Sequence, residues 1–292
     1  MTGVEASSRP VRENGREFAF TPEDFRTIAA VLHGDAGIYL PESKSTLVYS
    51  RLAKRLRLLG ISSFKDYCKL IQGSHGVDER QAMLAALTTN VTRFFREPHH
   101  FDHLKNTVMP ALAARARAGG RVRLWSAACS TGQEPYSMAL SVLAALPDAL
   151  RYDVKILATD IDPNVVAAAR TGVYSRDLLE AVPASDRKLL RRAPDAGADM
   201  WRFADEVQEL IAFRELNLVR SWPMSGKFDV IFCRNVVIYF DDATQEAVWK
   251  KFIDVMTPGG RLYIGHSERV TGDGGRLQSD GLTVYKMPGD LR

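Results

Sequence analysis

The chain has 292 residues, 46% of them hydrophobic, with 39 lysines and arginines against 35 acids and a formal net charge of +4. That length suits one large domain and a smaller one, and so modest a charge does not by itself mark a nucleic-acid binder. No apolar run approaches the roughly 20 residues a helix needs to cross a bilayer, the N-terminal stretch has no signal-peptide core, and Cys68, Cys129 and Cys233 lie far apart without CxxC spacing. A cytoplasmic chain with reduced thiols, no disulfide framework, no metal site and no membrane insertion is therefore expected.

Residues 1–18 are polar, with Pro10 and Gly15, and read as a disordered tail. Thr21, Pro22, Glu23 and Asp24 form a helix start, with an N-cap residue, a first-turn proline and acids against the positive helix end. In "KSTLVYSRLAKRLRLL" Val48, Leu52, Leu56 and Leu59 recur at helical spacing. The same segment carries Arg51, Lys54, Arg55 and Arg57, the first three sharing one face. This basic set reads either as a solvated helix face or as a docking surface for an acidic partner. Helices continue to about Leu87, so residues 19–88 make an all-helical N-terminal domain, and residues 89–120 a linker and helix leading onward.

From Arg121 to the end at residue 292, short apolar runs alternate with helices, the pattern of a parallel sheet with crossover helices. Strands are predicted at "VRLWSAA", "VKILATD", "LIAFRELN", "FDVIFCRN" and "RLYIGHS", and "LTVYKM" pairs antiparallel with its predecessor. The charged stretch at about 172–208 is too long for a connection and is predicted to be an inserted subdomain.

Open parallel sheets bind ligands where strand order switches, beyond the strand ends. The first such turn, "LWSAACSTGQEPYS", lacks the GxGxxG of a diphosphate loop and places Glu134 where phosphate charge would fall. A carboxylate there repels a diphosphate and attracts a cation. The second strand ends at Asp160, an acid suited to ribose hydroxyls. Either acid alone reads as a cap or surface group; at successive strand ends the pair suggests a nucleoside cofactor with an amino group and no phosphate, which S-adenosylmethionine fits.

Four ordered motifs, "TTNVTRFFREPHHF", "SAACSTGQEPYS", "ATDIDPNVVAAARTGVY" and "FDVIFCRNVVIYF", resemble the chemotaxis receptor methyltransferases of the CheR type, from about residue 20 to the end. The resemblance implies an α/β fold: a Rossmann-like S-adenosylmethionine-dependent methyltransferase domain with a small antiparallel β subdomain inserted, preceded by the all-helical domain. It also implies transfer of the cofactor's methyl group to glutamate side chains on the cytoplasmic helical region of chemoreceptors, leaving S-adenosylhomocysteine, by a monomer that binds no nucleic acid. Carried over by motif, Asn90, Thr92, Arg96, Glu134, Asp160, Asn217, Leu218, Arg234 and Asn235 are implied to bind the cofactor, and Arg96 and Tyr239 to border the reacting methyl group. Under this reading Arg51, Lys54, Arg55 and Arg57 steer the chain to an acidic receptor surface.

Other readings stand beside these. Cys129 as a nucleophile has no defined histidine and acid partners and reads as a small turn residue. His99 and His103 have helical spacing, but His100 stands where the HExxH zinc motif has its glutamate. Phe94 and Phe95 read as interdomain core rather than a stacking platform, and Tyr239 alone reads equally as core filling. A non-catalytic receptor-binding or cofactor-sensing scaffold is the alternative function, and an NAD-dependent oxidoreductase is disfavoured by the missing glycines and Glu134.

Overall fold

A computed structural model describes residues 17–88 and 90–291. The tail expected over residues 1–18 lies outside the described residues as far as Arg16. The chain divides into two compact units at residues 89 and 90.

The first unit holds four helices, α1 (Pro22–Ala36), α2 (Ser45–Leu59), α3 (Phe64–Gln72) and α4 (Val77–Leu87). Thr21 caps α1 as the sequence predicts: its hydroxyl accepts from Asp24 N at 3.1 Å, while the Asp24 carboxylate accepts from Thr21 N at 2.9 Å. Val48, Leu52 and Leu56 are buried along α2, but Leu59 is not part of that stripe, because the helix ends there at left-handed Gly60 and its side chain stays exposed.

The basic face of α2 also differs from the expected open cationic surface. Arg51 donates to the carbonyls of Ala86, Leu87 and Thr88 at 2.9–3.2 Å, closing the C-terminal end of α4. Arg55 makes a two-pronged ion pair with buried Glu79, which also accepts from the Tyr67 hydroxyl at 2.8 Å. Those two arginines are committed to the unit's own carbonyls and acid. Lys54 is exposed, and Arg57, also exposed, pairs with Glu17 at 3.0 Å.

The second unit begins with α5 (Pro98–His103), a π-helical stretch at Leu104–Val108 and α6 (Met109–Arg117). The wide turn precedes Pro110, which has no N–H to continue the regular ladder. There follow β1 (Val122–Ala127), α7 (Gln133–Ala145), β2 (Val154–Asp160), α8 (Pro163–Thr171), β3 (Val173–Ser175), β4 (Leu190–Arg192), β5 (Met200–Phe203), α9 (Asp205–Gln208) and β6 (Ile211–Glu215). The chain closes with β7 (Phe228–Cys233), α10 (Asp242–Asp254), β8 (Met256–Ile264), β9 (Gln278–Ser279) and β10 (Val284–Lys286).

Seven strands form one sheet in the order β6-β2-β1-β7-β8-β10-β9. The first five are mutually parallel and β10 runs antiparallel to β8, as the sequence predicts. Strand β8 begins five residues before the expected Arg261, because Met256 pairs with Phe228 and a register irregularity next to left-handed Gly259 carries the strand through a segment that reads as a turn. A separate antiparallel sheet, β3-β5-β4, is inserted between α8 and β6.

Burial on both faces explains the strands' continuous apolar runs: every residue of β7 is buried, and Trp125, Phe232 and Tyr263 are fully enclosed. Phe94, expected between domains, lies in this core, with ring centroids 4.9 Å from Tyr174 and 5.6 Å from Phe203. Phe95 packs edge-on against Phe101.

Candidate active site

Chain order reverses at β1, whose neighbours β2 and β7 come from opposite halves of the sheet, so their C-terminal ends diverge around an opening. Beyond β1 the backbone is left-handed at Ala128, Ser130 and Gly132 (φ 72°, 49° and 99°). The turn is held by Ala128 N and Cys129 N, both donating to Thr159 O at 2.8 Å. A Cβ at Gly132 would sit 2.5 Å from the Tyr174 hydroxyl, so glycine is required there.

Asp160 ends β2 nearly buried. Its carboxylate accepts from Ser130 N at 2.8 Å and Asp162 N at 3.1 Å, tying the β1 turn to its own. Burial raises its pKa, and the amides of Asp162 and Ser130 offset this only in part. The Ser130 hydroxyl donates to Asn90 O at 3.0 Å, which brings the segment after residue 89 onto the same turn.

The centre of the arrangement is Arg234, just past β7, whose side chain is 2% exposed. Its guanidinium stands 3.3 Å from Glu134 and 3.3 Å from Glu97, donates to Arg96 O, and lies over the Phe101 and Phe232 rings at 5.6 and 5.8 Å. Glu134, in the first turn of α7, also accepts from Ser126 Oγ at 2.7 Å. Burial raises the Glu134 pKa despite Arg234 and Ser126. At Glu97 burial also pushes upward, but Arg234 and His266 outweigh it and the pKa falls. Two carboxylates thus share one guanidinium, and the knot keeps a negative balance suited to a cation.

Left-handed backbone concentrates here. Of six non-glycine residues with positive φ among the described residues, Phe95, Glu97, Ala128, Ser130 and Asn235 lie in these segments. Such conformations persist only where surrounding bonds over-determine them.

Residues 90–286 match the family described as CheR methyltransferase, SAM binding domain, and residues 23–88 that described as CheR methyltransferase, all-alpha domain. The chain belongs to the CheR methyltransferase family. It is 52% identical to a probable chemotaxis protein methyltransferase of Rhizobium etli, over 88% of this chain and 96% of that one. It is 43% identical to chemotaxis protein methyltransferase 2 of Pseudomonas aeruginosa over 92% and 95% of the two chains. With the chemotaxis protein methyltransferase of Escherichia coli it shares 38% identity over 93% of each.

As a CheR methyltransferase the chain uses S-adenosylmethionine, and the donor set fits that cofactor. No diphosphate loop is found among the described residues, the Glu97, Glu134 and Arg234 knot is net negative, and the Asp160 carboxylate, which accepts from Ser130 N and Asp162 N, keeps lone-pair capacity for ribose hydroxyls.

The structure brings Asn90, Arg96, Glu134, Asp160, Arg234 and Asn235 onto the joined loops beyond β1, β2 and β7. Thr92 lies half-buried in the same 90–97 segment. Asn217 and Leu218 follow β6, where the Asn217 side chain accepts from Val219 N at 3.0 Å and Leu218 is buried. The Arg96 guanidinium donates to Val91 O at 3.1 Å, so it braces its own loop. Tyr239 ends a short 3₁₀ turn, Val237–Tyr239, and is 39% exposed, which rules out simple core filling.

Sequence reasoning missed Ser126, Glu97 and Glu268. Glu97 lies inside the TTNVTRFFREPHHF motif, but Glu268 follows a strand like any surface acid and carries no signal. In the fold Glu268 is buried and accepts from Gly265 N at 2.6 Å, Asn235 N and Val236 N at 2.9 Å, and Val237 N at 3.0 Å.

The zinc spacing His99/His103 is not what the fold assembles: His103 bonds the Tyr263 hydroxyl at 2.8 Å. Among the described residues, the ligand-capable atoms within 4.8 Å of one another belong to Glu97, His99 and His100. The Arg234 guanidinium, 3.3 Å from Glu97, opposes a dication there. Cys129 is buried and its thiol pKa is raised, first by burial and then by Asp160 and Glu134, so it is not a nucleophile.

Proposed function

We propose that this CheR methyltransferase esterifies glutamate side chains on the cytoplasmic helical region of chemoreceptors. The observation that carries the reading is the acid-rich knot of Glu97, Glu134 and Arg234 beside Asp160, which suits a cationic nucleoside, in a chain related throughout to chemotaxis protein methyltransferases.

When bound, S-adenosylmethionine supplies an electrophilic methyl carbon on a positive sulfur. A receptor glutamate, with a reference pKa of about 4.3, is already the carboxylate nucleophile at neutral pH, so the chain needs no general base. Its task is to hold that carboxylate in line and free of water, which in favourable cases contributes about 7–11 kcal/mol. Arg96 orients the carboxylate without pairing so tightly as to quench it, and Tyr239, exposed at its turn, positions it by a hydrogen bond. Asn90, Thr92, Asp160, Asn217, Leu218, Arg234 and Asn235 complete the cofactor's surroundings. For docking, the exposed Lys54 and Arg57 remain the candidates on α2.

The test combines two measurements. Calorimetric titration with S-adenosylhomocysteine should show binding that Glu134→Gln weakens at least about tenfold, since this change keeps the Ser126 bond and removes the charge. Tritiated methyl transfer to receptor cytoplasmic fragments should yield label released as methanol by alkali, the signature of a carboxyl ester. Binding without alkali-labile label would refute the glutamate assignment, and absence of binding by the folded protein would refute the site.

A further inference from the structure

Strands β7 and β8 remain paired as far as Cys233 and Ile264, and beyond that pair they separate. The segment that leaves β7 carries Arg234, Asn235 and Tyr239. Asn235 is left-handed (φ 59°), so its neighbours' amides turn away from any ladder. All of them aim at one group. Glu268 Oε2 takes Gly265 N and Asn235 N, and Oε1 takes Val236 N and Val237 N, the last two opening the 3₁₀ turn that ends at Tyr239. The Glu268 backbone is itself fixed, its N–H donating to Gly265 O at 2.9 Å. Packing allows no slack: a Cβ at Gly265 would stand 2.5 Å from the Asn235 side-chain nitrogen and 2.9 Å from its backbone nitrogen.

A ring of four converging N–H groups is what proteins build to hold an anion. Here the anion is internal and buried. A carboxylate with both oxygens doubly occupied serves no proton transfer and faces no substrate. What it determines is the conformation of the 235–237 backbone.

We infer that Glu268 is a positioning residue for methyl transfer, holding the loop that runs from Asn235, on the cofactor side, to Tyr239 at the reacting centre. The inference rests on the methyltransferase reading above. Arg234 is held independently by Glu97 and Glu134, so loosening this loop should spare cofactor affinity more than turnover. Glutamine at 268 would present one oxygen and one NH₂, and the NH₂ would confront amides that themselves donate. Aspartate would keep the charge but fall one methylene short of reaching both strands.

The full chain is compared as wild type, Glu268→Gln and Glu268→Asp. For Glu268→Gln the expected result is a kcat on receptor fragments at least about tenfold lower, as misplacement of catalytic groups by an ångström or less costs. S-adenosylhomocysteine affinity, which reaches this loop only through Asn235, should fall by a clearly smaller factor than kcat. Hydrogen exchange at the amides of Asn235, Val236 and Val237 should accelerate about tenfold or more, while β1 and β2 keep their protection. Glu268→Asp should recover part of kcat and of protection. A folded Glu268→Gln protein with kcat within about twofold of wild type and unchanged exchange at those amides overturns the inference. If both variants unfold, Glu268 is a fold-stabilising residue only, which also overturns it. Wild-type protein that transfers no methyl group would sink the function reading instead, and the exchange comparison still decides whether Glu268 holds the loop.

Discussion

Replacing Arg234 with methionine isolates the electrostatics of the site. Methionine keeps much of the side chain's length and apolar contact with Phe101 and Phe232, and removes the charge and the N–H donors between Glu97 and Glu134. Two largely buried carboxylates, 13% and 12% exposed, are left without their shared cation, and the Arg96 carbonyl loses its donor. Breaking a buried pair in this way costs about 3–5 kcal/mol. In a unit of this size that lowers Tm by roughly 6–20 °C. The pH dependence carries the sharper signature. Without the guanidinium the pKa of Glu134, already raised by burial, rises further and that of Glu97 is no longer held down, so the stability they confer is present at low pH and lost as pH rises. The deficit of Arg234→Met against wild type should accordingly shrink from pH 8 to pH 5, when one carboxyl takes up a proton and can donate to the other. Adding Glu134→Gln to Arg234→Met should restore at least about 1 kcal/mol at pH 8, a coupling read by a double-mutant cycle in urea unfolding. A loss below about 1 kcal/mol at pH 8, or a deficit that does not shrink on acidification, would refute the buried charge knot.

Further outcomes follow from other residues. His100 is fully buried, and burial, followed by Arg234 and His99, pushes its pKa down to about 3. Its folded value lies below its unfolded one, so its contribution is present above about pH 6.5 and lost as pH falls, by about 2 kcal/mol at pH 5. Glu134, Asp160 and Glu268, whose pKa values are raised, contribute with the opposite sign. Urea unfolding of wild type and His100→Gln at pH 8 and pH 5 separates the two: the variant should be less sensitive to acidification, and an equal loss in both would exclude His100 as its source. In the helical unit Arg55→Glu should disrupt folding, because it sets a second carboxylate against buried Glu79, whereas Lys54→Glu with Arg57→Glu should leave circular dichroism unchanged and lower only the rate on receptor. Thr21→Ala, which removes one half of a capping box, should cost about 1 kcal/mol in that unit, measured by thermal melting.

Much of this protein is written locally. The Thr21 cap, the apolar stripe of Val48, Leu52 and Leu56, and the buried strands from Val122 onward are legible because helix ends and periodic burial leave residue patterns that neighbours within a few positions determine. Glu134 and Asp160 were legible for a related reason: strand ends are recognisable, and parallel sheets place ligands there. Side-chain partners drawn from different elements leave no such pattern. That Arg234 would sit between Glu97 and Glu134, that Arg51 and Arg55 would be absorbed by the end of α4 and by Glu79, and that an unremarkable Glu268 would gather four backbone amides became visible only in three dimensions. Local sequence determines which segments are helix or strand and which faces they bury. Which charges are spent inside the fold, and which remain for a cofactor or a partner, depends on distances between loops that only the completed sheet brings together.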